Sequence, residues 1–136
     1  MPAGIGEPAF EKLNANLGKA ILSIGAVKAF EIGDGIAVAQ SDGLHNNDAY
    51  CADEAGHITK KTNHSGGITG GISDGCEILF RAAFKPTPSI SATQESVTRT
   101  GENLDISIKG RHDPIIVPRA VVVVECMTAL VILDAM

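Results

Sequence analysis

The sequence contains no tryptophan and one tyrosine, and aromatic residues make up only 4% of its 136 residues. This scarcity argues against an aromatic platform on which nucleic-acid bases would stack. Positive charge is also scarce, because 11 lysines and arginines face 16 aspartates and glutamates, for a net charge of -5. A protein that binds the phosphate backbone needs a basic face. We therefore expect no nucleic-acid partner.

A membrane-spanning segment is not expected either. The main apolar stretch, residues 120–133, is interrupted by Glu125 and is shorter than the roughly 20 apolar residues that cross a bilayer. We interpret the stretch as a buried helix. A glutamate buried in its middle would need a basic neighbour, so we expect Glu125 to pair with Arg119 or Lys109.

Secretion is not indicated, because the first residues lack the basic and apolar regions of a secretory leader. We therefore expect a cytoplasmic protein. Its three cysteines, Cys51, Cys76 and Cys126, are an odd number, and in a reducing compartment we expect them to be free thiols.

The length fits one domain, 1–136, and the hydrophobic pattern predicts an α+β fold with helices packed on an antiparallel sheet. A helix is expected from about Glu7 and Pro8, with Phe10 to Ile21 providing its apolar stripe. A turn at 33–35 suggests a hairpin between two strands, 27–32 and 36–40. Two further strands and a final helix are predicted at 77–84, 104–109 and 118–134.

Residues 41–75 show no sustained period, and a loop of about 35 residues in a compact domain is usually functional or mobile. We interpret it as a long functional loop. It closes with a glycine series, residues 66–75, that matches neither a Walker loop nor a dinucleotide fingerprint. Paired glycines permit positive φ angles. The series therefore fits either a tight structural bend or a loop that brings the backbone close to a ligand.

Cys51, His57, His64 and Cys76 are of the residue types that bind zinc. Structural zinc ligands come in close pairs two to four residues apart, whereas these four are separated by 5, 6 and 11 residues. We therefore expect no metal.

Two later segments carry chemistry. Lys85–Ser89 (Lys-Pro-Thr-Pro-Ser) places an ammonium and two hydroxyls on a stiff segment, which is either a ligand contact or a simple strand exit. Arg111, His112 and Asp113 place a cation, an imidazole and a carboxylate side by side. A guanidinium suits phosphate and a carboxylate can take a proton, but a solvated turn would carry the same residues.

Taken together, these segments resemble the chorismate synthase family, in order and in spacing, over nearly all 136 residues. The resemblance covers the C-terminal portion of the family's longer chain. The matching runs are 2–8 (PAGIGEP), 26–28 (AVK), 31–35 (EIGDG), 63–75 (NHSGGITGGISDG), 81–90 (RAAFKPTPSI), 110–114 (GRHDP) and 119–121 (RAV).

The resemblance implies a lyase of the shikimate pathway, in aromatic amino-acid biosynthesis. Its substrate would be 5-enolpyruvylshikimate 3-phosphate, which loses phosphate and a ring hydrogen in a 1,4-elimination that gives chorismate. The resemblance further implies a requirement for reduced FMN, part of a β-α-β sandwich as the fold, and a homotetramer as the assembly.

The resemblance also assigns roles to individual positions. Asp113 matches a carboxylate beside the flavin that takes part in proton transfer, and with His112 it is the predicted catalytic pair. Arg111 is expected to contact both flavin and substrate phosphate. The other expected FMN contacts are Gly70, Lys85, Pro86, Thr87, Pro88 and Ser89.

Two hypotheses follow for the chain itself. It is either the C-terminal part of an FMN-dependent lyase, inactive when alone, or a truncated, non-catalytic module whose role is self-association. Flavin binding distinguishes the two.

Overall fold

The computed structural model describes residues 1–111 and 113–136. Short antiparallel strand pairs lie between two helices along the chain, which confirms the α+β class. In chain order they are α1 (Leu13–Leu22), β1 (Val27–Ile32), a 3₁₀ helix (Gly35–Gln40), β2 (Tyr50–Ala52), β3 (Ile58–Lys60), β4 (Ile68–Thr69), β5 (Ile72–Ser73), β6 (Phe80–Phe84), β7 (Gln94–Val97), β8 (Asn103–Ile106) and α2 (Val117–Asp134).

The core forms around one face of α1. Leu13, Leu17 and Ile21 recur every four residues, which places them on the same side of the helix, and all three are fully buried. Leu13 and Leu17 cluster with Ile68 of β4, while partly buried side chains from β1 and α2 pack around them. Apolar burial at this one helix face therefore joins the glycine series to the rest of the fold.

Helix α1 begins later than the sequence predicted. Phe10 was placed on the apolar stripe, but it is 95% exposed and has a φ of 52°. The cause is a backbone hydrogen bond outside the helix, since the N–H of Leu13 donates to the carbonyl of Gly71 (2.8 Å). The chain therefore turns into the helix at residue 13.

The predicted hairpin between 27–32 and 36–40 is wrong. Residues 35–40 form the 3₁₀ helix, and β1 pairs antiparallel with β6, with Ile32 opposite Phe80. The reason lies in the turn after β1: Gly33 N–H donates to Leu79 O (2.8 Å) and Asp34 N–H donates to His64 O (3.0 Å). The turn is thus anchored to distant segments instead of folding back on β1.

The segment 41–75, predicted without regular structure, contains two small antiparallel pairs. Strand β2 pairs with β3, and β4 pairs with β5. Later in the chain, β8 (Asn103–Ile106) overlaps the first half of the strand predicted at 104–109, and its partner β7 was not predicted. Pairs of two to four residues leave too little alternation for a sequence pattern to detect.

Helix α2 matches the predicted range of 118–134, but it is not a buried helix. Only Ala120 is buried, while Glu125 and the valines at 121–123 are exposed. Arg119 pairs with Asp113, so the predicted pairing of Glu125 with Arg119 is wrong. One side of α2 packs on α1, and the described part of the chain provides no layer that covers the other side. No helix among the described residues is both long and apolar enough to cross a membrane.

The buried face of α1 predicts an unequal response to the same substitution at two positions. Leu17→Ala should lower the free energy of unfolding by about 3 kcal/mol, because it removes a fully buried side chain and leaves a cavity. The control Leu22→Ala changes a side chain that is 52% exposed on the same helix and should cost less than about 1 kcal/mol. Urea denaturation measures both, and equal losses would contradict this core.

Candidate functional site

The glycine series forms a tight hairpin. Ile68 pairs with Ser73 and Thr69 with Ile72, so Gly70 and Gly71 alone make the turn. Their φ angles are +66° and +98°, the left-handed region that a two-residue hairpin turn favours and that glycine enters without a steric penalty. The turn therefore requires residues of this type irrespective of any ligand.

The glycines differ in what surrounds them. A Cβ at Gly66 would lie 2.5 Å from Leu79 O, and one at Gly71 would lie 2.6 Å from Glu7 O. At Gly67 a Cβ would collide with the carbonyl of Glu77. A Cβ at Gly70 meets no atom within 4 Å. At these three glycines, neighbouring atoms leave no room for a side chain. Gly70 instead presents an open backbone face that a planar ligand could approach.

A polar cluster braces the hairpin from one side. Lys60, at the end of β3, donates from Nζ to Asp74 Oδ2 (2.5 Å) and lies 3.8 Å from Asp48 Oδ2. The three side chains are only 4%, 8% and 7% exposed, in the order Lys60, Asp74 and Asp48. Asp48 also accepts hydrogen bonds from Thr62 Oγ1 and from the backbone N–H groups of His64 and Ser65.

These contacts change the proton affinities of the groups. Burial would raise the pKa of Asp74, but hydrogen bonds from the Lys60 ammonium, the Cys76 N–H and the Thr69 hydroxyl outweigh it and lower the pKa to about 2. Burial likewise opposes the ionisation of Asp48, yet its hydrogen bonds from Ser65, Thr62 and His64 hold its pKa far below the usual value. The pKa of Lys60 is raised, because its contacts with Asp74 outweigh the effect of burial.

The Lys85–Ser89 segment leaves the sheet directly after β6. Lys85 N–H donates to Ala26 O (2.7 Å), and the carbonyl of Pro88 accepts a hydrogen bond from Gln94 Nε2 (3.1 Å). Between these two anchors, Thr87 Oγ1 is buried and has no hydrogen-bond partner in the part of the chain that is described. A buried hydroxyl without a partner is costly, so Thr87 is available for a polar ligand atom.

Asp113 precedes α2, and its carboxylate lies between the side chains of Arg111 and Arg119. Its Oδ2 is 2.9 Å from Arg119 Nη1, and its Oδ1 is 3.9 Å from Arg111 Nη2. The Arg111 side chain is 89% exposed, so its guanidinium can still meet an anion from solvent. His112, predicted as catalytic together with Asp113, lies outside the described residues.

The histidines of the loop pair with carboxylates. His64 Nδ1 lies 2.6 Å from Asp34 Oδ2, and His57 Nδ1 lies 2.9 Å from Asp53 Oδ2. Within residues 1–111 and 113–136 no group of three or more histidine, cysteine or acidic side chains could hold a metal ion. The cysteines at 51, 76 and 126 are free.

The candidate site therefore has three parts: the Gly70 turn, the Lys85–Ser89 segment, and the side chains of Arg111 and Asp113. Sequence reasoning missed the Lys60 cluster and the role of Arg119 as the partner of Asp113. No local sequence pattern indicates that Lys60 is buried against Asp74.

Comparison with known proteins assigns the chain to one family. The sequence profile described as chorismate synthase matches residues 1–136. A chorismate synthase of Lachnoclostridium phytofermentans is 66% identical over 134 residues, which is 98% of this chain and 36% of the relative. One of Agathobacter rectalis is 62% identical over 136 residues, or 100% of this chain and 37% of the relative.

The fold agrees with this relationship. A crystal structure of a chorismate synthase superposes with a TM-score of 0.76 and 29% sequence identity, and the match covers 99% of this chain and 33% of that one. The chain thus spans about a third of the length of the relatives it matches.

The buried carboxylate of Asp74 predicts acid sensitivity. Because its pKa is lowered to about 2, its stabilising effect is fully present above the pKa of about 3.9 in the unfolded chain and is lost as the pH falls through about 2. That difference corresponds to about 2 to 3 kcal/mol. Urea midpoints should fall over this pH window. Asp74→Asn should be less stable at neutral pH and lose less on acidification, whereas the control Asp105→Asn, an exposed position on β8, should keep the full dependence.

Proposed function

Because the chain belongs to the chorismate synthase family, we propose that, as part of a full-length protein, it takes part in converting 5-enolpyruvylshikimate 3-phosphate to chorismate. The reaction is a 1,4-elimination, in which the substrate loses phosphate and one ring hydrogen. The observation that carries the proposal is the family match over all 136 residues. As in the family, the full-length protein would act in the cytoplasm as a homotetramer.

The proposed cofactor is reduced FMN, and three features of this chain fit it. The open backbone face of Gly70 can accept the approach of a flat ring. The buried hydroxyl of Thr87 lacks a partner, and Lys85 and Arg111 provide exposed cations for carbonyl and phosphate oxygens. The chemistry that reduced FMN supplies when bound is a transient donation of electron density, with no net oxidation or reduction.

The remaining steps of the proposal belong to side chains of the chain. Arg111 would bind the substrate phosphate, because a guanidinium pairs with phosphate oxygens through two parallel hydrogen bonds. Asp113 would accept a proton, and its contact with Arg119 fixes the direction of its carboxylate. Neither group is buried, so both can reach a substrate that arrives from solvent.

A chimera provides the full-length setting for both tests. In it, the 136 residues replace the matching segment of the Lachnoclostridium phytofermentans relative, to which they are 66% identical over 134 residues. The measured quantities are FMN affinity, from flavin fluorescence, and the rate of chorismate formation.

Gly70→Asn tests the flavin contact. Asparagine tolerates a positive φ, so the turn should form, but the new side chain fills the open face, and FMN affinity should fall at least about tenfold. Gly101→Asn is a matched control, since Gly101 also has a positive φ (+87°) with no atom within 4 Å of a Cβ, on the β7–β8 turn. Equal FMN affinity in the two variants would contradict the placement of flavin at Gly70.

Asp113→Ala tests the proton role. We expect turnover in the chimera to fall by about 10²-fold or more, as is typical when a general base is removed. Stability should change by less than about 1 kcal/mol, because an exposed ion pair contributes little. Asp105→Ala is the control, and the 136 residues alone should show no turnover.

Normal turnover by the Asp113 variant would contradict the proton role of Asp113. Absence of FMN binding by the chimera would favour the non-catalytic, self-associating module.

A further inference from the structure

Lys60 lies outside every segment to which the proposed function assigns a role, yet its ammonium group contacts the hairpin that carries Gly70. We propose that Lys60 is a positioning residue that, with Asp74 and Thr69, holds the Gly70 turn in the conformation to which flavin binds. The inference rests on the proposed function, because it presupposes that flavin meets the chain at Gly70.

The contacts of Lys60 connect the residue before the turn with the residue after β5. Thr69 directly precedes Gly70, and its hydroxyl donates to Asp74 Oδ2 (3.0 Å) while lying 3.4 Å from Lys60 Nζ. Asp74 directly follows β5, and its Oδ2 also accepts from Lys60. One carboxylate oxygen thus joins the residue that enters the turn to the lysine of a different hairpin.

The hairpin needs such a brace, because it is very short. Strands β4 and β5 have two residues each, and a strand pair of this size is only marginally stable by itself. Strand β5 is also held by residues 4–6, through Ser73 N–H to Ile5 O (2.9 Å) and Gly4 N–H to Ser73 O (2.8 Å). One side of the turn is fixed by the hydrogen bond from Leu13 N–H to Gly71 O (2.8 Å). On the side of Gly70 a Cβ would meet no atom within 4 Å, so packing there does not restrain the backbone. The Lys60 cluster restrains the turn on the β4 side, through the hydroxyl of Thr69.

The cluster itself is not suited to bind a ligand. Lys60 lies between two carboxylates, Asp48 and Asp74, which balance its charge, and all three side chains are at least nine-tenths buried. The oxygens of Asp48 already accept from Thr62, His64 and Ser65. The cluster therefore affects flavin binding only indirectly, by holding the backbone of the Gly70 turn.

Two variants separate this role from general stability. Lys60→Met removes the charge and keeps the length of the side chain, although it leaves two buried carboxylates without their cation. Thr69→Val is milder, since it removes only the hydroxyl that links the cluster to the turn and keeps a β-branched shape in the strand. Lys61→Met is the matched control, because it makes the same substitution at the adjacent, exposed lysine. Lys60→Arg retains the charge and serves as the rescue.

The first measurement is the ¹⁵N order parameter of the Gly70 and Gly71 amides in the 136-residue chain. Rigid backbone gives about 0.85 and flexible backbone less than about 0.6. We expect Thr69→Val, and Lys60→Met where it folds, to lower the value at Gly70, while Lys61→Met leaves it unchanged and Lys60→Arg restores it. The second measurement is FMN affinity in the chimera, which should fall about tenfold in the same variants.

The outcomes separate the inference from the proposed function. Unchanged order parameters in Thr69→Val and in the folded Lys60 variant overturn the inference, whatever the affinity for FMN. Lowered order parameters with unchanged FMN affinity, in a chimera that binds FMN, also overturn it. A wild-type chimera that binds no FMN removes the proposed function instead, and with it the role of Lys60 towards flavin, even where the order parameters respond.

Discussion

Close contact between backbones, at positions where no side chain fits, is the constraint on which the rest of the structure depends. Gly33 N–H donates to Leu79 O (2.8 Å), and Leu79 N–H donates to Gly66 O (3.1 Å), so the end of β1, the glycine series and the approach to β6 meet at one point. A Cβ at Gly66 would lie 2.5 Å from Gly33 N and from Leu79 O. Because these three segments touch, β6 lies beside β1 and the β4–β5 hairpin reaches α1.

The segment 41–75 is ordered largely by carboxylates, since few of its side chains enter the apolar core. Asp48 alone satisfies two backbone N–H groups and two hydroxyls. Asp34 accepts from Asn46 and pairs with His64 across a separation of 30 residues. Loops with little apolar surface must satisfy their backbone donors by such contacts. The result is a supported turn at Gly70 whose outer face stays open.

The three parts of the candidate site differ in how they are held. The Gly70 turn is held by the buried Lys60 cluster. The backbone of the Lys85–Ser89 segment is held by two hydrogen bonds, one with Ala26 O and one with the Gln94 side chain. Arg111 is exposed, and Asp113 is partly buried and paired with Arg119 of α2. Two parts are thus held in place by the rest of the fold, whereas the Arg111 guanidinium is free to meet an anion from solvent. The chain covers only about a third of the length of its relatives. Exposed apolar positions along α2 agree with a fold that is larger than these residues.

The sequence by itself determined what depends on neighbours along the chain: the α+β class, the range of α2, the strand within 77–84 and the positive φ angles of the glycine series. It also carried the motifs that identify the family. Tertiary structure alone decided that β1 pairs with β6, that Gly70 has an open face while Gly66, Gly67 and Gly71 are closely packed, and that Lys60 is buried between Asp48 and Asp74. The physical reason is distance along the chain. Periodicity and turn propensity report on residues a few positions apart, whereas these features arise from contacts between segments that only the folded chain brings together.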